Sequence, residues 1–308
     1  MGDAVRRALA RLSSDKTEHR SVAAPSLSTA ELSADELDAV RREIQTNPAA
    51  GAAFREKLRS DPAALEAFRA DLLVQKNRPP VAECPICETT AAEFLPFGAR
   101  VPVPDRKCPT CGSLERHRLI WLYFREKTNL FTDDLTVLHV APEPWFVNRL
   151  RRSARFRSYI TADIADPKVS VRMDLTRVPC PSRSVDVVYA SHVLEHIPDD
   201  ALAMREIYRI LKPSGWAVLQ VPIWGESTQE DLTITDPDER QRRYGQFDHV
   251  RMYGHDAEYE RRLAAAGFHV DVDRFAATLE PDRARRYRLD TTEDIYLCSK
   301  PADDEHSG

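Results

Sequence analysis

The chain has 308 residues, 42% of them apolar, with a net charge of −5 and a pI near 6.0. That is enough apolar material for a full-size domain with a core, which excludes a chain disordered throughout, and the slight acidity argues against a surface built to coat nucleic acid. No apolar run approaches the ~20 residues of a membrane span, and the opening residues MGDAVRRALARLSSDK lack the apolar centre of a signal peptide. The expected setting is cytoplasmic, without membrane contact.

Residues 1–30 are polar and turn-rich and are expected to form a disordered tail. A helical region is expected over 31–80. Ser33-Ala-Asp-Glu36 makes a capping box ahead of LDAVRREIQ. NPAAGAAFREKL (47–58) and DPAALEAFRADL (61–72) then repeat with Asn47 and Asp61 as N-caps and a proline at each first helical position. Asn77-Arg-Pro-Pro80 reads as a stiff linker.

Residues 81–128 carry CPIC (84–87) and CPTCG (108–112). Each C-x-x-C turn can aim two thiolates at one ion, so Cys84, Cys87, Cys108 and Cys111 are the expected ligands of a structural Zn²⁺; four thiolates leave no position for water. The following SLERHRLIWLYFREK (113–127) is expected to be an amphipathic helix with Leu119, Trp121, Leu122 and Phe124 buried, and Arg116, His117 and Arg118 at a solvated end.

From about 135, short apolar runs alternate with helical patterns. Strands are expected at 135–140, 158–162, 169–173, 184–190, 215–221, 268–272 and 293–299, and helices near 143–152, 200–211 and 255–265. This alternation predicts an α/β fold with a Rossmann-like, doubly wound, mostly parallel sheet over 129–300. The longest irregular span, 222–254, is expected to cover the active site, and 301–308 is an acidic tail. The arginines of NRLRRSARFR (148–157) and DRARRYR (282–288) read as solvated faces, and Cys180 and Cys298 as structural.

The first strand runs into Ala141-Pro142-Glu143 without a glycine. A dinucleotide needs glycines there so that its pyrophosphate can approach the backbone, whereas a cofactor without phosphates needs a small residue and an aimed helix. YITADI (159–164) ends with Asp163 placed for two ribose hydroxyls, VRMDLTRVP (171–179) places Asp174 near an adenine amino group, and Val193-Leu-Glu-His196 and Lys212-Pro-Ser-Gly215 follow in order. Together these segments resemble the class I S-adenosylmethionine-dependent methyltransferases, over about 130 to 300. The resemblance implies a seven-stranded sheet, S-adenosylmethionine as cofactor, and His139, Ala141, Glu143, Asp163, Ile164, Asp174, Leu175, Ser191 and His192 around it. In this chain His139 stands where the family usually has an acid.

Candidates for the chemistry itself are His196, Asp248 and His249, the last two in GQFDHVRMYG (245–254). His192-x-x-Glu195-His196 also resembles the E-x-x-E-H arrangement of metal-dependent O-methyltransferases, with His249 as a further ligand. The expected activity is methyl transfer to O or N of a small molecule, of natural-product or sugar type. The alternatives are an RNA methyltransferase that reads RNA through the zinc module, a peptide or protein substrate at the helical N-terminus, and a non-methylating S-adenosylmethionine-binding protein. Residues 81–128, with seven Lys/Arg and six Asp/Glu, are nearly neutral, which disfavours RNA.

Overall fold

The computed structural model describes residues 82–98 and 102–303, together with positions 52, 56, 59–62 and 66. The chain divides into two compact units, residues 1–81 and 82–308. In the first, Ser60 and Pro62 are helical and Asp61 between them is not. The tail over 1–30, the capping box at 33–36, the Asn47 cap, the linker at 77–80 and residues 304–308 lie outside the described residues.

The second unit opens with two antiparallel hairpins, β1 (Ala82–Cys84) with β2 (Thr89–Ala91) and β3 (Leu95–Phe97) with β4 (Val103–Lys107). The helix α1 (Glu115–Lys127) follows. It is not the amphipathic helix expected: every residue from His117 to Phe124 is buried. It lies between the cysteine hairpins and the main sheet, so no face is left to water. Arg118, fully buried, donates to the carbonyls of Arg106 (3.0 Å), Ser113 (2.8 Å), Tyr287 (2.7 Å) and Arg288 (2.8 Å), and its guanidinium sits 4.6 Å from the centre of the Phe94 ring. The predicted solvated helix end is therefore a buried joint between the cysteine module and the C-terminal part of the fold.

The chain then runs through β5 (Leu135–Val140), α2 (Pro144–Ser153), β6 (Phe156–Asp163), β7 (Val171–Arg172), β8 (Val185–Ser191), α3 (Asp200–Ile210) and β9 (Leu211–Gln220). After β10 (Gln229–Glu230), α4 (Pro237–Tyr244) and β11 (Arg251–Met252) come α5 (Glu258–Ala265), β12 (His269–Asp273), α6 (Phe275–Thr278), α7 (Pro281–Tyr287) and β13 (Ile295–Ser299). Seven strands form one sheet in the order β12-β13-β9-β8-β5-β6-β7, parallel except that β13 runs antiparallel to both neighbours. Alternate strand residues serve opposite cores. Leu138, Val140, Val188, Ala190, Ala217 and Leu219 pack with α3 and α5, whereas Val137, Val187, Tyr189 and Val218 pack with α1, α2 and α6.

The strand expected at 215–221 begins earlier, at Leu211, and absorbs the Lys-Pro-Ser-Gly turn as a bulge. Ser214 takes a left-handed φ of 60°, and the ladder continues through Ser214 N–H to Lys300 O (3.0 Å) and Lys300 N–H to Gly215 O (2.9 Å). A Cβ on Gly215 would lie 2.8 Å from Lys212 O and 2.9 Å from Asp186 O, so only glycine fits there.

The span 222–254 is an ordered insertion. Arg251, fully buried, clamps it down by donating to the carbonyls of Leu194 (2.9 Å), Ile197 (2.5 Å) and Pro198 (2.8 Å) and to Glu230 (2.6 Å). Asp200 receives Arg262 (2.8 Å) and the Tyr253 hydroxyl (2.5 Å) beside it. The arginines of α7 are spoken for as well: Arg283 pairs with Glu126, Arg286 with Glu83, and Arg288, in the turn after α7, with Asp105. No helix among the described residues is long and apolar enough to cross a membrane.

Candidate active site

At the carboxyl edge of the sheet, β5 ends in a turn that takes its left-handed step at Ala141, φ 47°, instead of at a glycine. Ala141 N–H donates to Ala162 O of the neighbouring strand (2.8 Å), which carries the β5–β6 pairing into the turn. In front of it is a cavity of about 630 Å³ lined by Ala141, Asp163, Ile164, Asp174, Leu175, His192, His196 and Asp248, among others. The structure thus brings eight of the candidate residues to one cavity. Asp163 Oδ1 accepts from the backbone of Ala165 (2.7 Å) and Asp166 (2.8 Å), and Asp174 Oδ1 from the amide and hydroxyl of Thr176 (both 2.8 Å). Both carboxylates are held in place by their own turns.

Four candidates are not among the cavity's lining. Ser191 ends β8 behind His192, and His249 faces Glu195. His139 is buried within the sheet, its Nδ1 2.6 Å from the Tyr159 hydroxyl, and burial pushes its pKa down to about 4. Glu143 turns toward α1: its Oε1 lies 3.1 Å from His117 Nε2, and its Oε2 3.8 Å from His139 Nε2. His117 Nδ1 accepts from the amide of Leu114 (3.1 Å), so in the neutral ring the proton is on Nε2, facing the carboxylate. Burial opposes the charge on Glu143, yet His117 and His139 hold its pKa down to about 2. This contact, 26 residues apart in sequence, has no local signature.

The next cluster lies in the Val193-Leu-Glu-His196 crossing. Glu195 is fully buried, and neither of its carboxylate oxygens has a hydrogen-bond partner. Around it stand His192 Nδ1 at 3.2 Å from Oε1, outside hydrogen-bond geometry, and His196 Nε2 and His249 Nε2, each at 4.0 Å. His192 holds a left-handed φ of 56°, uncommon for a residue with a side chain. The 222–254 insertion lies over this crossing as a lid, held there by Val250 N–H to Glu195 O (3.0 Å).

A second cavity of about 420 Å³ shares His192 with the first. Its lining includes Arg106, Glu115 and Arg116 from the cysteine module and Asp290, Glu293 and Asp294 from the loop before β13. Glu293 was not anticipated. Burial lifts its pKa to about 7, with Arg116 opposing that rise. An acidic loop ahead of a strand carries no mark of such burial in the sequence.

The four cysteines converge as expected. Cys84 and Cys111 Sγ atoms are 3.6 Å apart, those of Cys87 and Cys108 3.7 Å, and all four lie within 4.8 Å of one another. A tetrahedral Zn²⁺ with bonds of about 2.3 Å sets its sulfurs about 3.8 Å apart, so the cluster has the dimensions of a zinc knuckle.

Residues 130–219 match the family model described as a methyltransferase domain. Over these residues the chain is similar to methyltransferase domains, and the seven-stranded sheet has the Rossmann-like methyltransferase arrangement. An uncharacterized methyltransferase of Mycobacterium sp. (strain KMS) is 41% identical over 54 residues, which is 18% of this chain and 21% of that protein. An uncharacterized 37.1 kDa protein in transposon TN4556 of Streptomyces fradiae is 36% identical over 73 residues, 23% of this chain and 20% of its own. The chain spans about a fifth of the length of the curated relatives it matches. Among solved structures, an S-adenosylmethionine-dependent methyltransferase from Mesorhizobium loti is similar at a TM-score of 0.39 and 17% identity, covering 58% of this chain and 95% of that one. Within the methyltransferase domain, the cavity at the carboxyl edge is where open α/β sheets bind ligands.

Proposed function

We propose that the chain is an S-adenosylmethionine-dependent methyltransferase that methylates O or N of a small polar acceptor, with a structural Zn²⁺ on Cys84, Cys87, Cys108 and Cys111. The observation that carries this is the pair of cavities meeting at His192, one lined by Asp163 and Asp174, the other by charged groups of the cysteine module. Asp163, with Oδ1 already held by two amides, offers Oδ2 to the ribose hydroxyls. Asp174, Ile164 and Leu175 enclose the adenine. The glycine-free turn at Ala141 suits a nucleoside that brings no phosphate, and Glu143 supplies negative charge behind that turn for the ammonium of the methionine end. When bound, the sulfonium supplies an electrophilic methyl group. The protein then has to align the acceptor with it and exclude water, which the lid clamped by Arg251 does.

In the second cavity Glu293 takes the acceptor proton. With its pKa near 7 it is a base only once ionised, so kcat/KM falls as pH drops through about 7, and Glu293→Gln removes that limb of the profile. His196 and Asp248, which line the cofactor cavity, hold the wall between donor and acceptor; His249 acts through Glu195. Apart from imidazoles, Tyr296 is the one aromatic ring in the acceptor cavity, and positive and negative groups are mixed there. That lining suits a small polar acceptor better than a stacked RNA base.

Calorimetric titration with S-adenosylhomocysteine tests the proposal. Micromolar binding by the wild type, weakened at least ~10-fold in Asp163→Ala by loss of a charged hydrogen-bond acceptor, is expected. A folded wild type that does not bind would contradict it.

A further inference from the structure

We infer that Arg116 anchors an anionic group of the acceptor, a carboxylate or a phosphate, so that the substrate is an acid that turns a neighbouring hydroxyl or amine toward Glu293. The inference deepens the methyltransferase proposal and rests on it.

Three observations lead there. The first concerns the arginines at the joint between the cysteine module and the main sheet. Arg106 pairs with Glu115, Arg286 with Glu83 and Arg288 with Asp105, while Arg118 donates to four carbonyls. Arg116, in the first turn of α1, differs from all of these. Its Nε is buried without a hydrogen-bond partner, and among the described residues no carboxylate forms an ion pair with its guanidinium. A guanidinium keeps its charge at any working pH and presents a planar fork of donors, which matches the oxygens of a carboxylate or phosphate.

The second is where that fork lies. Arg116 lines the cavity of about 420 Å³, a size suited to a small molecule. Other charges on its walls are already engaged. Glu115 holds Arg106, and Asp290 Oδ1 accepts from the amide (2.9 Å) and hydroxyl (2.6 Å) of Thr292. Asp294 Oδ1 lies 3.9 Å from Arg274. Arg116 is thus the arginine of this cavity whose charge is still to be met.

The third is its relation to Glu293. A carboxylate in contact with a guanidinium is held below its ordinary pKa. Glu293 instead rises to about 7, because burial outweighs the opposing charges of Arg116 and Arg106, and Asp290 adds to the rise. Arg116 and Glu293 therefore face one cavity without pairing. An acceptor that carries both an anion and a hydroxyl or amine satisfies the two at once. Attraction at Arg116 and repulsion at Glu293 allow it one orientation, with the group to be methylated on the Glu293 side. A neutral alcohol or sugar would leave the buried N–H of Arg116 without an anionic partner, and sites built for such a bond discriminate strongly against analogues that lack it.

The test is calorimetric titration of the full-length chain with acetate and, separately, with inorganic phosphate, at pH 8 and fixed ionic strength. The protein is first saturated with S-adenosylhomocysteine, so that the cofactor's own carboxylate is in place. Saturable millimolar binding of at least one anion is expected, weakened at least ~10-fold in Arg116→Gln. Acetate alone would mark the acceptor as a carboxylic acid, and phosphate alone as a phosphate ester. Arg116→Gln removes a group without a protein partner, so it should fold and bind S-adenosylhomocysteine as the wild type does. Glu293→Gln, which removes the repelling charge, should bind the anion more tightly than the wild type. No saturable anion binding by the wild type, or equal binding by Arg116→Gln, would overturn the inference. So would an Arg116→Gln protein that loses S-adenosylhomocysteine and keeps the anion, since the guanidinium would then serve the cofactor. A folded wild type that fails to bind S-adenosylhomocysteine counts against the methyltransferase proposal instead, and the anion titration of that protein still decides the role of Arg116.

Discussion

Two glutamates of this fold sit among histidines, and their surroundings are opposite in sense. Glu143, behind the first turn, meets a ring nitrogen that must carry a proton, because His117 Nδ1 is occupied in accepting from Leu114. Glu195, in the crossing after β8, meets two ring nitrogens that expose lone pairs, because His196 and His249 spend their Nδ1 protons on carbonyls. The first carboxylate lies 3.1 Å from that nitrogen, and His117 and His139 hold its pKa down to about 2, although His117 Nε2 and Glu143 Oε2 make no hydrogen bond of good geometry. The second is fully buried without a hydrogen bond. The same residue types thus face a carboxylate with a proton in one place and with lone pairs in the other, and the far side of each ring decides which.

The most severe perturbation breaks the contact of Glu143 with His117 from outside. Cys84→Ser or Cys108→Ser removes a ligand from the module whose helix α1 carries His117 and packs into the sheet's core. Loss of a structural metal should lower the melting temperature by on the order of 10 °C or more, and chelation of the wild type should do the same. Calorimetry or far-ultraviolet dichroism decides it. Next in size is Arg251→Met, which leaves the carbonyls of Leu194, Ile197 and Pro198 without this donor and Glu230 with Arg262 alone. Breaking such a buried ionic clamp should cost about 3–5 kcal/mol. Limited proteolysis should then cut within 222–254.

The two glutamates themselves are expected to respond with opposite signs. Glu143 has a folded pKa of about 2 against an ordinary 4.5, so its charge stabilises the fold above pH ~4.5, and that stability is lost as pH falls toward 2. Glu143→Gln should therefore destabilise the fold more at pH 7 than near pH 2 in denaturant titrations. Glu195→Gln should stabilise by about 1 kcal/mol, since a neutral amide can donate to the lone pairs that the carboxylate faces. Equal destabilisation by both would erase the distinction. The smallest effect belongs to the turn just before Glu143: Ala141→Gly relieves a left-handed alanine and should stabilise by less than about 1 kcal/mol.

The parts of this picture that were legible from residues alone are those with local causes. Short apolar runs marked β5, β6 and β8 because alternate residues must face two cores, and paired C-x-x-C turns marked the cysteine cluster. Asp163 and Asp174 were legible because strand ends fix where a side chain emerges. Four features were not. The burial of α1 depends on a module and a sheet closing on it from both sides, and nothing in SLERHRLIWLYFREK distinguishes Arg118 inside from Arg125 outside. Arg251 reads as one more charge in a charged span, although three carbonyls of a distant crossing define it. Strand β9 starts before its turn, because the pairing that carries it through Ser214 comes from Lys300, far along the chain. Glu195 was visible as a motif letter, but its lack of partners is a property of the folded chain.

The account's central claim is tested most directly by X-ray diffraction from crystals grown with S-adenosylhomocysteine. The account predicts nucleoside density against Asp163 in the larger cavity. Nucleoside density elsewhere, or none in crystals grown at saturating ligand, would contradict it.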